Sequence, residues 1–172
     1  QASNGTCASG NSAQAQATTA ACSGGGNAFA NPGFETGSLS SWTTTGASES
    51  ASTALAHSGT YSARLGSTSP TNGDSTISQT VTMPAGTSTV TFSYYLTCPD
   101  TVTYDWFTAT LKDNTTGTTT TLLGKTCTNN STWHQVTGNA TAGHSITLTL
   151  TSHDDNYSGD ATLTYVDDIA TQ

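Results

Sequence analysis

From residue 27 onward the chain alternates apolar and polar residues with a period of two. In TVTFSYYL, Val90, Phe92, Tyr94 and Leu96 fall on one face, and Thr91, Ser93 and Tyr95 on the other. SITLTLT sets Ile146, Leu148 and Leu150 against Thr147, Thr149 and Thr151. Ile77, Val81 and Met83 share a face, as do Phe107, Ala109 and Leu111, and Tyr61, Ala63 and Leu65. Such alternation marks strands with one buried face. Turn signals separate them: NPG at 31–33, NGD at 72–74, PAG at 84–86 and TTG at 115–117. The pattern predicts about ten short strands and no helix. That is an all-β, antiparallel β-sandwich with jelly-roll topology.

Residues 1–26 carry no large apolar side chain and end on GGG. They cannot bury a face of their own and read as a linker or N-terminal extension. The sandwich domain therefore spans 27–172. The four cysteines are Cys7, Cys22, Cys98 and Cys127, without metal-site spacing. Three pairings are open. Cys7–Cys22 with Cys98–Cys127 is favoured because each pair brackets one local segment. Disulfides place the protein in an oxidising, secreted, extracellular setting. The chain opens on Gln1 rather than Met, as expected of a processed or excised fragment.

Charge narrows the partners. Lys plus Arg is 3 and the formal net charge is -8. Arg64, Lys112 and Lys125 are too few to meet a phosphate backbone, so no nucleic acid and no anionic membrane surface is expected. An uncharged surface rich in Thr, Ser, Asn and Gly suits a neutral polymer.

The opening NPGFETGSLSSW (31–42) resembles the start of galactose-binding-like jelly-roll carbohydrate-binding modules. HSGTYSARL (57–65) and YVDDI (165–169) resemble two later motifs of that family, in order. The segment from Cys98 to Cys127 is similar to C-terminal modules of secreted bacterial glycoside hydrolases and peptidases. The resemblance implies a structural calcium where the first and last strands meet. Glu35 and Asp168 would supply carboxylates, and Gly33 with a residue in 58–60 backbone carbonyls. This matches the hard-oxygen preference of calcium.

Two features of the chain itself point to a site. HDDNYSGD (153–160) gathers Asp154, Asp155 and Asp160, and alternation puts Asp105 near the same sheet end, with Asp100 close by in sequence. The EF-hand spacing is absent. A second cation at Asp105, Asp154, Asp155 and Asp160 would relieve the repulsion. Aromatic residues that miss the apolar stripe are the second feature. Trp106, Tyr104 and Tyr95 fall on the outward face, and Tyr157 lies in the acidic loop. Aromatic rings beside polar groups make a shallow site for a neutral ligand. Trp106, Tyr104, Tyr95 and Tyr157 are the ring-stacking candidates, with His153 and Gln135 as polar partners.

No nucleophile elbow and no HExxH helix appears, and the histidines are scattered. The expected protein is therefore no enzyme. It is a non-catalytic carbohydrate-binding module that targets an attached catalytic domain to a polysaccharide of β-glucan type. The alternative is a structural or adhesion spacer that binds no glycan.

Overall fold

The computed structural model describes residues 26–172. The N-terminal extension and the Cys7–Cys22 pairing lie outside the described residues. Ten strands follow in order: β1 (Thr43–Gly46), β2 (Glu49–Ser52), β3 (Ser62–Gly66), β4 (Asn72–Thr82), β5 (Thr89–Thr97), β6 (Trp106–Asp113), β7 (Thr119–Thr126), β8 (Trp133–Asn139), β9 (Ser145–Asp155) and β10 (Leu163–Thr171). They form two five-stranded antiparallel sheets, β1-β4-β9-β6-β7 and β2-β3-β10-β5-β8. The described residues contain no helix. This is the all-β jelly-roll sandwich that the period-two pattern predicts.

The alternating apolar residues meet between the sheets. Ile77, Leu148, Leu150, Phe107 and Ala109 of the first sheet pack against Val90, Phe92, Leu96, Leu65 and Val166 of the second, all fully buried. Register keeps them level: Ile77 pairs with Leu150, and Leu150 with Ala109. One polar residue breaks the stripe. Gln79 faces inward, and its amide accepts the Ala30 N–H at 2.8 Å and donates to the Ala30 carbonyl at 3.0 Å. It acts as a surrogate strand partner, so the buried amide carries no unmet hydrogen bond.

The opening motif is a plug. Phe29 stacks on Trp42 at 5.9 Å, Phe34 lies 5.6 Å from the same indole, and the indole N–H donates to the Asn31 carbonyl. Asn27 and Ala28 are bonded to Ile169 and Thr171 at the end of β10. At the other end, a disulfide joins Cys98, just past β5, to Cys127, just past β7. This is the pairing favoured from the cysteine positions, and it ties one sheet to the other.

Candidate functional site

Antiparallel pairing decides which loops meet. The start of β6 lies beside the end of β9, with Trp106 opposite His153. The β5–β6 loop (98–105) and the β9–β10 loop (156–162) therefore share one pole of the sandwich. Tyr104 is 57% exposed and Tyr157 68%. With Asp100, Asp155 and Asp160 they line an open cleft of about 390 Å³. A second concavity of about 300 Å³, at the opposite pole, is lined by Thr, Asp113 and Asn139 and has no aromatic side chain. Only the first offers flat faces to a sugar ring.

Beside that cleft, one rung crosses the outer face of the first sheet. His153 lies parallel to Trp106, with ring centroids 4.9 Å apart and planes 5° apart. From β7 the Lys125 ammonium sits 3.8 Å from the indole centroid. From β4 Asp74 holds the His153 ring through Nδ1 at 2.6 Å. Trp106 is thus half-buried and flanked from both neighbouring strands. The next rung is threonine: Thr76 and Thr151 bond each other at 3.0 Å, and Thr108 donates to the Leu123 carbonyl. Lys125 and Asp74 escape sequence reasoning, because only strand pairing shows that they reach one rung.

The acidic residues of HDDNYSGD separate into two roles. Asp154 turns inward and is 3% exposed. Its carboxylate accepts N–H groups from Thr71, Asn156 and Thr162 at 3.0, 2.9 and 2.6 Å. It is the internal clamp of the loop. Asp155 faces out, and its N–H donates to Asp105 Oδ1 at 2.9 Å. One carboxylate oxygen each from Asp100, Asp105 and Asp155 lies within 4.8 Å of the others. Burial pushes the Asp105 carboxyl up; the Thr162 hydroxyl and Asp155 N–H pull it down, and the charges of Asp154 and Asp155 raise it again. Asp160 is also raised, first by desolvation, then by Asp100 and Asp155. Among the described residues, Asp100, Asp105 and Asp155 are the one cluster of three His, Cys, Asp or Glu side chains close enough together to share a metal ion.

Glu35 and Asp168 come together differently. A register shift in β10 between Asp167 and Ala170, with φ of 50° at Asp168, turns both aspartates toward the 57–61 loop. Glu35 accepts N–H groups from Thr60 and Tyr61. Asp168 meets the His57 ring and the Ser58 hydroxyl, both at 2.5 Å. Asp167 is fully buried and accepts the His57, Ser58 and Asp168 N–H groups; its carboxyl is raised by that burial. Gly33 lies beside it: a Cβ there would sit 3.5 Å from Asp167 Oδ1. The junction is a hydrogen-bonded clasp, its carboxylates met by protein donors.

The two remaining candidates lie on the other sheet. Tyr95 packs edge-on against Trp133 at 5.8 Å, and Trp133 against His57 at 5.2 Å. Gln135 is exposed on β8, opposite Ser93. The 57–58 segment, tied to Asp167 and Asp168, lies over this face, so Tyr95 does not join the cleft.

The sequence profile of the Carbohydrate binding domain family matches residues 26–154. No curated protein sequence matches the chain. Among solved structures, TmCBM61 in complex with β-1,4-galactotriose superposes with a TM-score of 0.64 at 20% identity, covering 85% of this chain and 97% of that one. The K3 cleaved adhesin domain of Lys-gingipain from Porphyromonas gingivalis gives 0.60 at 18%, over 84% and 98%. The CBM22-1 xylan-binding domain of Paenibacillus barcinonensis Xyn10C gives 0.50 at 18%, over 81% and 90%. At such identities these likenesses speak for the sandwich fold alone. The profile match covers most of the chain, from the opening plug to the acidic loop, and on it the chain belongs to the Carbohydrate binding domain family.

Proposed function

We propose that this chain is a non-catalytic module that binds a neutral polysaccharide, of β-glucan type, at the pole formed by the 98–105 and 156–162 loops. The observation that carries the reading is the pair of exposed tyrosines, Tyr104 and Tyr157, on one open cleft next to the Trp106–His153 rung. Rings supply the apolar contact, and Asp100, Asp155, His153 and Asp74 supply acceptors and donors for hydroxyls. Calcium is the cation this reading gives to the chain, whose acidic oxygens suit a hard ion. In a secreted protein, such a module raises the local concentration of an attached enzyme on its polymer.

Native affinity electrophoresis against β-glucans, xylan, mannan, xyloglucan and galactan tests it. The parent protein is retarded by one glycan class. Tyr104→Ala and Tyr157→Ala each weaken that retardation by roughly tenfold, about 1.4 kcal/mol, while Gln135→Ala on the far sheet does not. Retardation by no glycan sinks the reading in favour of a spacer. Retardation that survives both tyrosine changes but fails in a Tyr95→Ala, Trp133→Ala double variant moves the site to the other sheet.

A further inference from the structure

We propose that Asn139 is an acceptor for an N-linked oligosaccharide, and that the cavity beside it seats the first sugar of the attached chain. The inference concerns the pole opposite the tyrosine cleft and does not depend on glycan recognition there.

The sequence supplies candidates and the structure sorts them. Asn-X-Ser/Thr triplets mark N-glycosylation acceptors in surface loops of secreted proteins. Among the described residues they begin at Asn114, Asn129, Asn130, Asn139 and Asn156, all exposed. In a chain so rich in threonine the triplet alone selects nothing. The Asn114 amide is engaged, donating to Thr147 Oγ1 at 2.9 Å. The Asn130 amide lies 2.8 Å from His134 Nε2. Asn129 and Asn156 line neither concavity of the sandwich.

Two observations single out Asn139. It ends β8, the edge strand of the second sheet, and its exposed amide makes no side-chain hydrogen bond among the described residues. All three residues of its triplet, Asn139, Ala140 and Thr141, line the cavity of about 300 Å³. Leu111 and Ile146, 4% and 1% exposed, give that cavity an apolar floor, and Asp113 stands at its wall. The backbone holds the triplet in place: the Ala140 N–H donates to the Ser88 carbonyl at 2.9 Å, and the His144 N–H to the Thr141 carbonyl at 3.1 Å. Small-ligand sites start at about 300 Å³, so there is room for one sugar residue and not for a chain. The C–H face of that sugar meets the floor, and its hydroxyls meet the polar rim.

The donor is a polyprenyl-pyrophosphate-linked oligosaccharide of the secretory pathway. Asn139 Nδ2 forms a bond to C1 of the reducing-end sugar, the bond from C1 to the pyrophosphate oxygen breaks, and the amide gives up one proton. No electron changes hands. The Cys98–Cys127 disulfide fits the same oxidising compartment.

The test uses the whole chain, secreted from a yeast host and, as an unmodified reference, from the bacterial periplasm. Peptide-N-glycosidase in heavy-oxygen water leaves a labelled aspartate at each formerly modified asparagine, and mass spectrometry of the fragments locates it. The expected result is label at Asn139 in the parent and in Thr141→Ser, and none there in Thr141→Ala. Trimming the glycan to its first sugar with an endoglycosidase leaves the melting temperature of the yeast protein unchanged. Thr141→Ala lowers it by about 2–4 °C, the scale of a modest loss of contacts in a chain of this size. The same substitution in the bacterial protein does not change it. No label at Asn139 in the parent overturns the acceptor. Label at Asn139 with a melting temperature equal to that of yeast Thr141→Ala overturns the seated sugar, as does an equal drop in the bacterial protein.

Discussion

The rings of Trp106 and His153 lie face to face across two neighbouring strands, 4.9 Å between centroids and 5° from parallel, with Lys125 on the indole from the next strand over. A ring covered in this way is not an open platform. Lys125→Ala uncovers a face of the indole. Acrylamide quenching of tryptophan fluorescence then rises in Lys125→Ala and not in Lys125→Ala combined with Trp106→Phe. An exposed cation–π contact contributes about 0.5–1 kcal/mol, so thermal stability falls by no more than that. If the retarding glycan stacks on Trp106, its affinity increases in the same variant.

The Cys98–Cys127 bridge closes a segment with a sequence separation of 29 and anchors the first residues of the 98–105 loop. Loop-closure entropy for that length gives about 3–4 kcal/mol. Cys98→Ala with Cys127→Ala lowers stability by that order in a denaturant titration. Proteolysis of the opened chain begins within 98–105, before the strands are cut, as mass spectrometry of the first fragments would show.

Asp154 and Asp155 are neighbours with opposite roles, and mutation separates them. Asp154→Asn turns one acceptor oxygen into an NH₂ group against backbone donors that now include Thr162 at 2.6 Å. Losing a charged acceptor at a buried site costs about 2–3 kcal/mol. Asp155→Asn, on the surface, changes stability by less than about 0.5 kcal/mol in EDTA. Chemical denaturation of both, side by side, checks the contrast.

Asp113 lies at the opposite pole, where the His144 ring contacts it at 2.7 Å. Its carboxyl is held below the ordinary value, first by that hydrogen bond and further by the Thr116 and Thr115 N–H groups. With the folded value depressed, the stabilisation is complete above the ordinary carboxylate pKa of about 3.9 and is lost as pH falls through the lower folded value. The part of the melting-temperature difference between the parent and Asp113→Asn that comes from this carboxylate therefore shrinks as pH falls below about 4. A difference that instead grows in acid contradicts the assignment.

The sandwich was legible because the longer inner strands carry one apolar face. Val90, Phe92 and Leu96 alternate cleanly, and Phe107, Ala109 and Leu111 sit where the period places them. The exceptions have identifiable causes. Gln79 occupies a core position because Ala30, far away in sequence, supplies its hydrogen bonds. Thr91 and Ser93 are buried although they fall on the polar side of β5. The placement of the candidate rings was partly readable as well: Tyr104, Trp106, His153 and Tyr157 lie near one pole. What alternation could not decide was which sheet Tyr95 belongs to, or that Asp154 is a clamp while Asp155 faces the cleft. Those depend on strand order and loop hydrogen bonds, neither of which leaves a period in the sequence.

Asn27 and Ala28 are bonded to the last residues of β10, and Ser88 donates to the Gln172 carbonyl. Polypeptide thus enters and leaves the sandwich side by side, at the pole away from the two tyrosine-bearing loops. A domain fused after residue 172 would start from the pole away from the cleft. The same closeness lets the sandwich be spliced as a unit into an exposed turn of another protein, with the acidic end pointing outward like the head of a rivet.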